Sequence, residues 1–269
     1  MAATQAQKAE QFRALHARPG AFVIPNPWDV GSTRILAGLG FEALATTSGG
    51  FAVSMGKRDG AMSRDDVLAH CRSIAGATDL PVSADLENCF GDDPRAVAET
   101  IRLAAETGLV GGSVEDWSGR AIYDFDHAVE RVAAAVKAAR ALPFPFTLTA
   151  RAENFLRGRR DLDDTIRRLQ AFEKAGADVL YAPFLPDLAA IKAVCAALKK
   201  PVNVLAGRPP FTVAELAASG VKRVSLGSLL ANVATGALLR AAREIKAQGS
   251  FTFAESAAST KEVNELMAS

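Results

Sequence analysis

The chain has 269 residues, of which 49% are hydrophobic and 23% charged, and its formal net charge is +1. That length suits one α/β barrel of about 250 residues, with enough apolar content to fold without a disulfide or metal staple. The near-zero charge, with Lys and Arg dispersed rather than massed, gives no footprint for nucleic acid or an acidic membrane surface.

Short apolar runs alternate with amphipathic helical patterns along the chain. The runs are AFVIP from Ala21, ALATT from Ala43, PVSAD from Pro81, GGSVED from Gly111, FTLTA from Phe146, DVLYA from Asp178, PVNVL from Pro201 and RVSLG from Arg223. Each has the length and side chains expected of a parallel strand buried on both faces. Between them, Ser63 caps a helix with Val67, Cys71 and Ile74 inward. Asp92 and Asp93 ahead of Pro94 start another, with Val97, Ile101 and Ala105 on one face and Gly108 at its end. Leu188, Ile191, Cys195 and Leu198 line a sixth helix, and Thr212 with Glu215 forms a capping box after the seventh run. His16, His70 and His127 fall in helices, away from the strand ends, as packing or surface residues. The tail after Gly249 reads as one more helix.

Right-handed crossovers between parallel strands leave an open doubly wound sheet or a closed barrel. The first βα turn carries NPWDVGS in place of a GxGxxG fingerprint, which disfavours a dinucleotide fold. Eight units in this length favour a (β/α)8 barrel of the TIM type. Residues 1–269 read as a single barrel domain with a C-terminal helical extension.

In such a barrel the chemistry lies at the C-terminal ends of the strands. The runs end in Asn26 and Asp29; Thr47, Ser48, Gly49 and Gly50; Asp85 and Glu87; Glu115 and Asp116; Arg151 and Glu153; Tyr181; Asn203; and Ser225, Gly227 and Ser228. Carboxylates converging from adjacent strands repel unless a cation or proton lies between them. With no His or Cys among them the donor set is all oxygen, which fits Mg2+, with Mn2+ as the alternative. Either Asp85 or Glu115 alone is also what a helix cap looks like. Arg151 reads as a bidentate carboxylate clamp or as half of an ion pair with Glu153. Ser48-Gly49-Gly50 reads as an anion-binding turn or a plain one.

At these residues the chain resembles the isocitrate lyase/phosphoenolpyruvate mutase superfamily, over Phe12 to Gln248. The matching pieces, in order, are NPWDVGSTRILAGLGFEALATTSGG, KRDG, PVSADLENCFGDDP, GGSVED, TARAENFL and PVNVLA. The resemblance implies Mg2+ near Asp85 and Glu115, an Arg151 contact to a substrate carboxylate, and an anion pocket at Ser48, Gly49 and Gly50. Asp59 in the KRDG loop matches a family aspartate near the metal. Two departures stand out. The usual Asp-Ala-Asp of strand 3 reads Ser83-Ala84-Asp85, with Glu87 as the nearest replacement for the missing acid. The Lys-Lys-Cys-Gly-His loop of the lyase branches is absent after Glu115-Asp116, and Cys89 does not replace it. The chain therefore looks like a phosphonomutase-like branch.

These residues imply an enzyme that cleaves a C–C bond of a small 2-oxo or 2-hydroxy carboxylate through an enolate. Arg151, Ser48, Gly49, Gly50 and Asn203 would bind the substrate. Arg151, Asp59, Glu87 and Tyr123 are the catalytic candidates, with Tyr123 or Glu87 supplying a proton, and Trp117 to Asp124 would form a lid. P–C chemistry is the nearest rival. Others are a sugar-phosphate barrel gripping through LAGRPP and GSLL, and a metabolite-binding barrel without turnover. Three cysteines without CxxC spacing, a polar N-terminus and no apolar run of 18 residues point to a cytoplasmic protein with no membrane span. The resemblance implies a homo-oligomer, a dimer or a tetramer formed by exchange of C-terminal helices.

Overall fold

The computed structural model describes residues 3–268 except Arg208, which belongs to the LAGRPP loop. Eight parallel strands follow the order β1-β8-β7-β6-β5-β4-β3-β2. They are β1 (Phe22–Ile24), β2 (Leu44–Ala45), β3 (Val82–Ala84), β4 (Gly111–Glu115), β5 (Thr147–Arg151), β6 (Val179–Tyr181), β7 (Val202–Leu205) and β8 (Arg223–Ser225). Every run read from the sequence holds one strand.

The β2 segment is two residues long, although pairing to β3 continues past it, with Thr46 N donating to Ser83 O at 3.0 Å. Thr46 Oγ1 accepts from Asp85 N, and Thr47 caps the next helix. The seam between β1 and β2 is closed by Ala45 N donating to Pro25 O at 3.0 Å. Asn26 reinforces it: its Nδ2 donates to Thr46 O at 3.0 Å and its Oδ1 accepts from Leu226 N at 2.8 Å. This strand-end residue closes a (β/α)8 barrel.

The outer layer comprises α2 (Val30–Gly38), α3 (Ser48–Ser54), α4 (Arg64–Gly76), α5 (Pro94–Ala105), α6 (Phe125–Arg140), α7 (Leu162–Ala175), α8 (Leu188–Ala197), α9 (Val213–Ala218) and α10 (Leu229–Gln248). The expected caps form at Ser63, Asp93 and Thr212. Val67, Cys71, Ile74, Val97, Ile101 and Ala105 face the core. In α8, Ile191 is fully buried, whereas Leu188 and Cys195 are only partly so. One segment differs from the sequence reading. Ser48-Gly49-Gly50 is the first turn of α3, because Thr47 Oγ1 accepts from Gly50 N and starts a helix.

An N-terminal helix, α1 (Gln5–Ala17), covers the bottom of the barrel. Ala9, Phe12 and Leu15 pack on Phe22, Ile24, Ala43 and Val110. Gln5 Nε2 donates to Ala105 O and Leu109 O, and Lys8 Nζ to Thr78 O. Burying an aromatic side chain such as Phe12 contributes about 1.5–3 kcal/mol. The opposite, C-terminal end of the barrel stays free of this plug. The tail forms a short 3-10 turn (Thr252–Ser256) and α11 (Thr260–Met267), whose Met267 O accepts from Arg34 Nη1 of α2. No helix among the described residues is long and apolar enough to cross a membrane.

Candidate active site at the C-terminal barrel mouth

A cavity of about 470 Å3 opens at the C-terminal ends of β3 to β5, and Ser48, Asp59, Asp85, Glu87, Glu115, Arg151 and Arg157 are among its lining residues. Arg151 ends β5 directly opposite Glu115 in the β4–β5 register. Its Nη1 lies 3.0 Å from both Asp85 Oδ1 and Glu115 Oε1, while its Nε donates to Glu153 Oε1 at 2.8 Å. The guanidinium also sits 5.0 Å from the centre of the Tyr181 ring. Burial works against its charge, yet Glu115, Glu153 and Asp85 hold it protonated beyond the ordinary arginine range. Of the two sequence alternatives for Arg151, the ion pair with Glu153 is present, and the side chain also lines the cavity where a carboxylate clamp would act.

Four of the lining carboxylates, Asp59, Asp85, Glu87 and Glu115, face two guanidiniums, Arg151 and Arg157. The excess of two negative charges shows in proton affinity. Burial, then Asp85 and Asp59, push the Glu87 carboxyl up to about 7. Burial, aided by Glu153 and Asp85, raises Glu115 well above the usual carboxylate range against the pull of Arg151. A divalent cation would neutralise that excess. Glu87 Oε1 is buried without a hydrogen-bond partner, a second feature that fits. No three His, Cys, Asp or Glu groups close into a full cage among the described residues. Mg2+ asks for no such cage, since it takes one or two carboxylates and fills its octahedron with water and substrate. The residues present fit the ion.

Other expected residues fall differently. Ser83 points into the barrel, where it lines a small inner cavity with Asn26, Thr149, Asn203 and Arg223. Asp85 lines both this inner cavity and the larger one, whereas Ser83 lines only the inner one; the acids two residues apart on the larger cavity are Asp85 and Glu87. Asn203 is also in this inner layer, with Nδ2 donating to Ser225 Oγ and Oδ1 accepting from Arg223 Nε. Tyr123 does not line the larger cavity; its hydroxyl donates to Asp92 Oδ1 and its ring stacks under Arg131. Asp116 turns away too, accepting from Glu153 N and from Arg168 Nη1. Burial raises it to about 6. Ser48 N donates to Asp85 Oδ2 at 3.3 Å. Gly49 is packed so tightly that an added Cβ would lie 2.6 Å from Ser228 Oγ and 3.3 Å from Asp59 Oδ2.

The loop carrying Glu87 is strained. Glu87, Cys89 and Phe90 have φ of 50°, 58° and 59°, a left-handed region that costs a non-glycine residue about 1–3 kcal/mol. Arg131 of α6, fully buried, holds this loop: Nη1 donates to Gly91 O and Asp92 O at 2.5 and 2.7 Å, and Nη2 to Asn88 O at 2.5 Å. Sequence reading missed Arg131. The available signal was a charge at an inward helical position beside Ala128, Val132 and Ala135. It missed Arg157 too, although TARAENFL runs straight into it.

The segment after Glu115 forms a tight turn, with Trp117 bridged to Ile122 and Ser118 N donating to Ala121 O. Trp117, Ser118 and Gly119 line the cavity from above, where the sequence places a lid.

Residues 12–246 match the family model described as phosphoenolpyruvate phosphomutase. A structure from Burkholderia cenocepacia J2315, named only broadly as a lyase/mutase, is 60% identical, covers 98% of each chain and superposes with a TM-score of 0.97. The 2-methylisocitrate lyase of Escherichia coli K12 is 29% identical over 78% of this chain and 75% of its own length. A phosphonopyruvate hydrolase, solved with oxalate and Mg2+, is 24% identical over 97% of this chain and 95% of its own; its TM-score of 0.84 shows the same fold. With the matched barrel and the acid–arginine cluster at its mouth, the chain belongs to the phosphoenolpyruvate mutase family, within the isocitrate lyase/phosphoenolpyruvate mutase superfamily.

Proposed function

We propose that the chain is a Mg2+-dependent lyase that cleaves a C–C bond of a small 2-oxo or 2-hydroxy carboxylate and passes through an enolate. One observation carries the reading: Arg151 Nη1 stands 3.0 Å from both Asp85 and Glu115 on a single cavity. Asp85 and Glu115 would hold the metal, which when bound offers a Lewis acid beside the oxygen where charge develops. The chain's own groups do the rest. Arg151 binds the substrate carboxylate, and fixed donors of this kind stabilise developing charge without reorganising. Ser48 N orients Asp85. Asp59, which lines the same cavity, would stand near the metal. Glu87 is our choice for moving the proton at the enolate carbon, supported by its unpartnered Oε1. The turn at Trp117 excludes water.

The nearest second reading is P–C chemistry, favoured by the family model and by the lack of a cysteine in the turn after Glu115. A panel of 2-oxo and 2-hydroxy diacids and phosphonopyruvate, assayed with Mg2+, separates the two. Pyruvate from a diacid supports the lyase. Pyruvate with inorganic phosphate from phosphonopyruvate supports a hydrolase. No turnover of any member overturns both.

Two further expectations belong to this reading. A homo-oligomer is supported by α10, whose Val233, Leu238, Leu239 and Ile245 are exposed while only Ala231 is buried. Light scattering that finds a monomer would remove it. A cytoplasmic setting is supported by three free cysteines, two of them buried.

A further inference from the structure

The two guanidiniums of the cavity are in different states. Arg151 is already paired through Nε to Glu153 and Nη1 to Asp85, with Glu115 also 3.0 Å from Nη1, while its Nη2 makes no hydrogen bond among the described residues; its side chain is only 11% exposed. Arg157 is not paired in this way. Its side chain is 32% exposed, and its nearest carboxylate oxygens, Glu115 Oε2 and Glu153 Oε2, are both 3.8 Å away, beyond hydrogen-bonding reach. Among the described residues its guanidinium makes no hydrogen bond. Its position is nonetheless fixed: the backbone N donates to Glu153 O at 2.9 Å, and the guanidinium lies 4.5 Å from the centre of the Trp117 ring. A guanidinium held over an indole at this distance is positioned by the ring face while its N–H donors stay unpaired, open to a planar or tetrahedral anion. Trp117 belongs to the turn over the cavity, so this cation is tied to the roof while Arg151 is tied to the floor.

We propose that Arg157, backed by Trp117, recognises a second anionic group on the substrate, a carboxylate or phosphonate at the end remote from the carboxylate that Arg151 binds. This rests on the reading of the site given above and names its substrate class, a 2-oxo acid with a distal anion. A substrate without that group leaves the Arg157 donors unused. A substrate with it cross-links roof and floor and closes the turn at Trp117.

The test measures dissociation constants, with Mg2+ present, for oxalate, pyruvate, oxaloacetate and phosphonopyruvate on the full chain and on Arg157→Gln and Arg157→Lys. Hydrogen bonds to a charged partner predict that the unaltered chain prefers the distal-anion ligands over pyruvate by about ten- to a hundredfold. Arg157→Gln is expected to shrink that preference to about threefold or less, with Arg157→Lys intermediate and oxalate affinity unchanged. The ligand that loses more, oxaloacetate or phosphonopyruvate, identifies the anion. The proposal is overturned if Arg157→Gln keeps the preference, or if it weakens oxalate by the same factor. Failure of oxalate to bind the unaltered chain overturns the divalent-ion reading beneath it, a distinct result.

Discussion

Arg131 never reaches the cavity, yet its removal should disable the site. Replacing it with Met takes the donors from three loop carbonyls, those of Asn88, Gly91 and Asp92. Each buried carbonyl left unsatisfied costs about 1–3 kcal/mol. The lost desolvation burden of a buried cation offsets part of that sum. A net destabilisation of about 3–5 kcal/mol follows, equivalent to a Tm lower by about 10 °C for a chain of this size. The consequence for function is larger, because the same loop holds Glu87 and Phe90 in left-handed conformations. Released from Arg131, the backbone relaxes and Glu87 leaves the cavity. We expect Arg131→Met to weaken Mg2+–oxalate binding at least tenfold when measured calorimetrically well below its Tm. Arg131→Lys, with one charged donor group, should retain about half of the stability. Urea denaturation gives the first number and calorimetry the second. Unchanged oxalate affinity in a destabilised Arg131→Met chain would refute the coupling between staple and site.

Two further outcomes follow from buried groups outside the cavity. His16 donates Nδ1–H to Phe12 O and keeps a buried, unpartnered Nε2, and burial followed by Arg223 depresses its pKa to about 3. The folded chain therefore refuses a proton that the unfolded chain accepts below about 6.5, so stability is full above that pH and falls as pH drops toward 3. Between pH 7 and 5 the loss from this group is about 2 kcal/mol, and His16→Phe should flatten the denaturation profile by that amount; an unaltered profile contradicts it. Burial raises the thiols of Cys71 and Cys89 to about 12 and that of Cys195 to about 11. A thiol reagent at pH 8 should label only Cys195, slowly, in the native chain and all three cysteines in urea. Early labelling of Cys89 would show that the loop beside Glu87 opens.

How far the sequence reached depends on what each signal encodes. Short apolar runs and 3.6-residue periodicity report burial, and burial defined the strands, the inward face of α5 and the ends that carry Asp85, Glu115 and Arg151. Capping reports local hydrogen bonds, and Ser63, Asp93 and Thr212 start their helices as expected. What was hidden depends on tertiary geometry. Thr47 could be seen two residues before a glycine pair, but its contact with Ser228 Oγ, and the lack of room for a Cβ on Gly49 beside that oxygen, are tertiary. Ser83 matches the first aspartate of Asp-Ala-Asp by resemblance, and a matched position does not say which cavity a side chain lines; Ser83 lines the inner one. Asn203 and Tyr123 bear the right chemistry, but their polar atoms are committed to Ser225 and Arg223 in one case and to Asp92 in the other. The N-terminal plug was illegible because α1 is polar along most of its length and buries Phe12 and Leu15 against β1 together with Ala43 and Val110, which sequence patterning does not bring together.

The most direct measurement is the melting temperature of the chain with Mg2+ and oxalate, singly and together, for the unaltered protein and for Asp85→Asn and Glu115→Gln. At about a hundred times the dissociation constant, bound ligand should contribute about 2.7 kcal/mol, a rise of about 5–10 °C, only when both are present. Each substitution should abolish that rise if, as proposed, Asp85 and Glu115 share the ion beside Arg151. A rise of equal size in chelator, or one that survives Asp85→Asn, would contradict the shared divalent ion and the chemistry built on it.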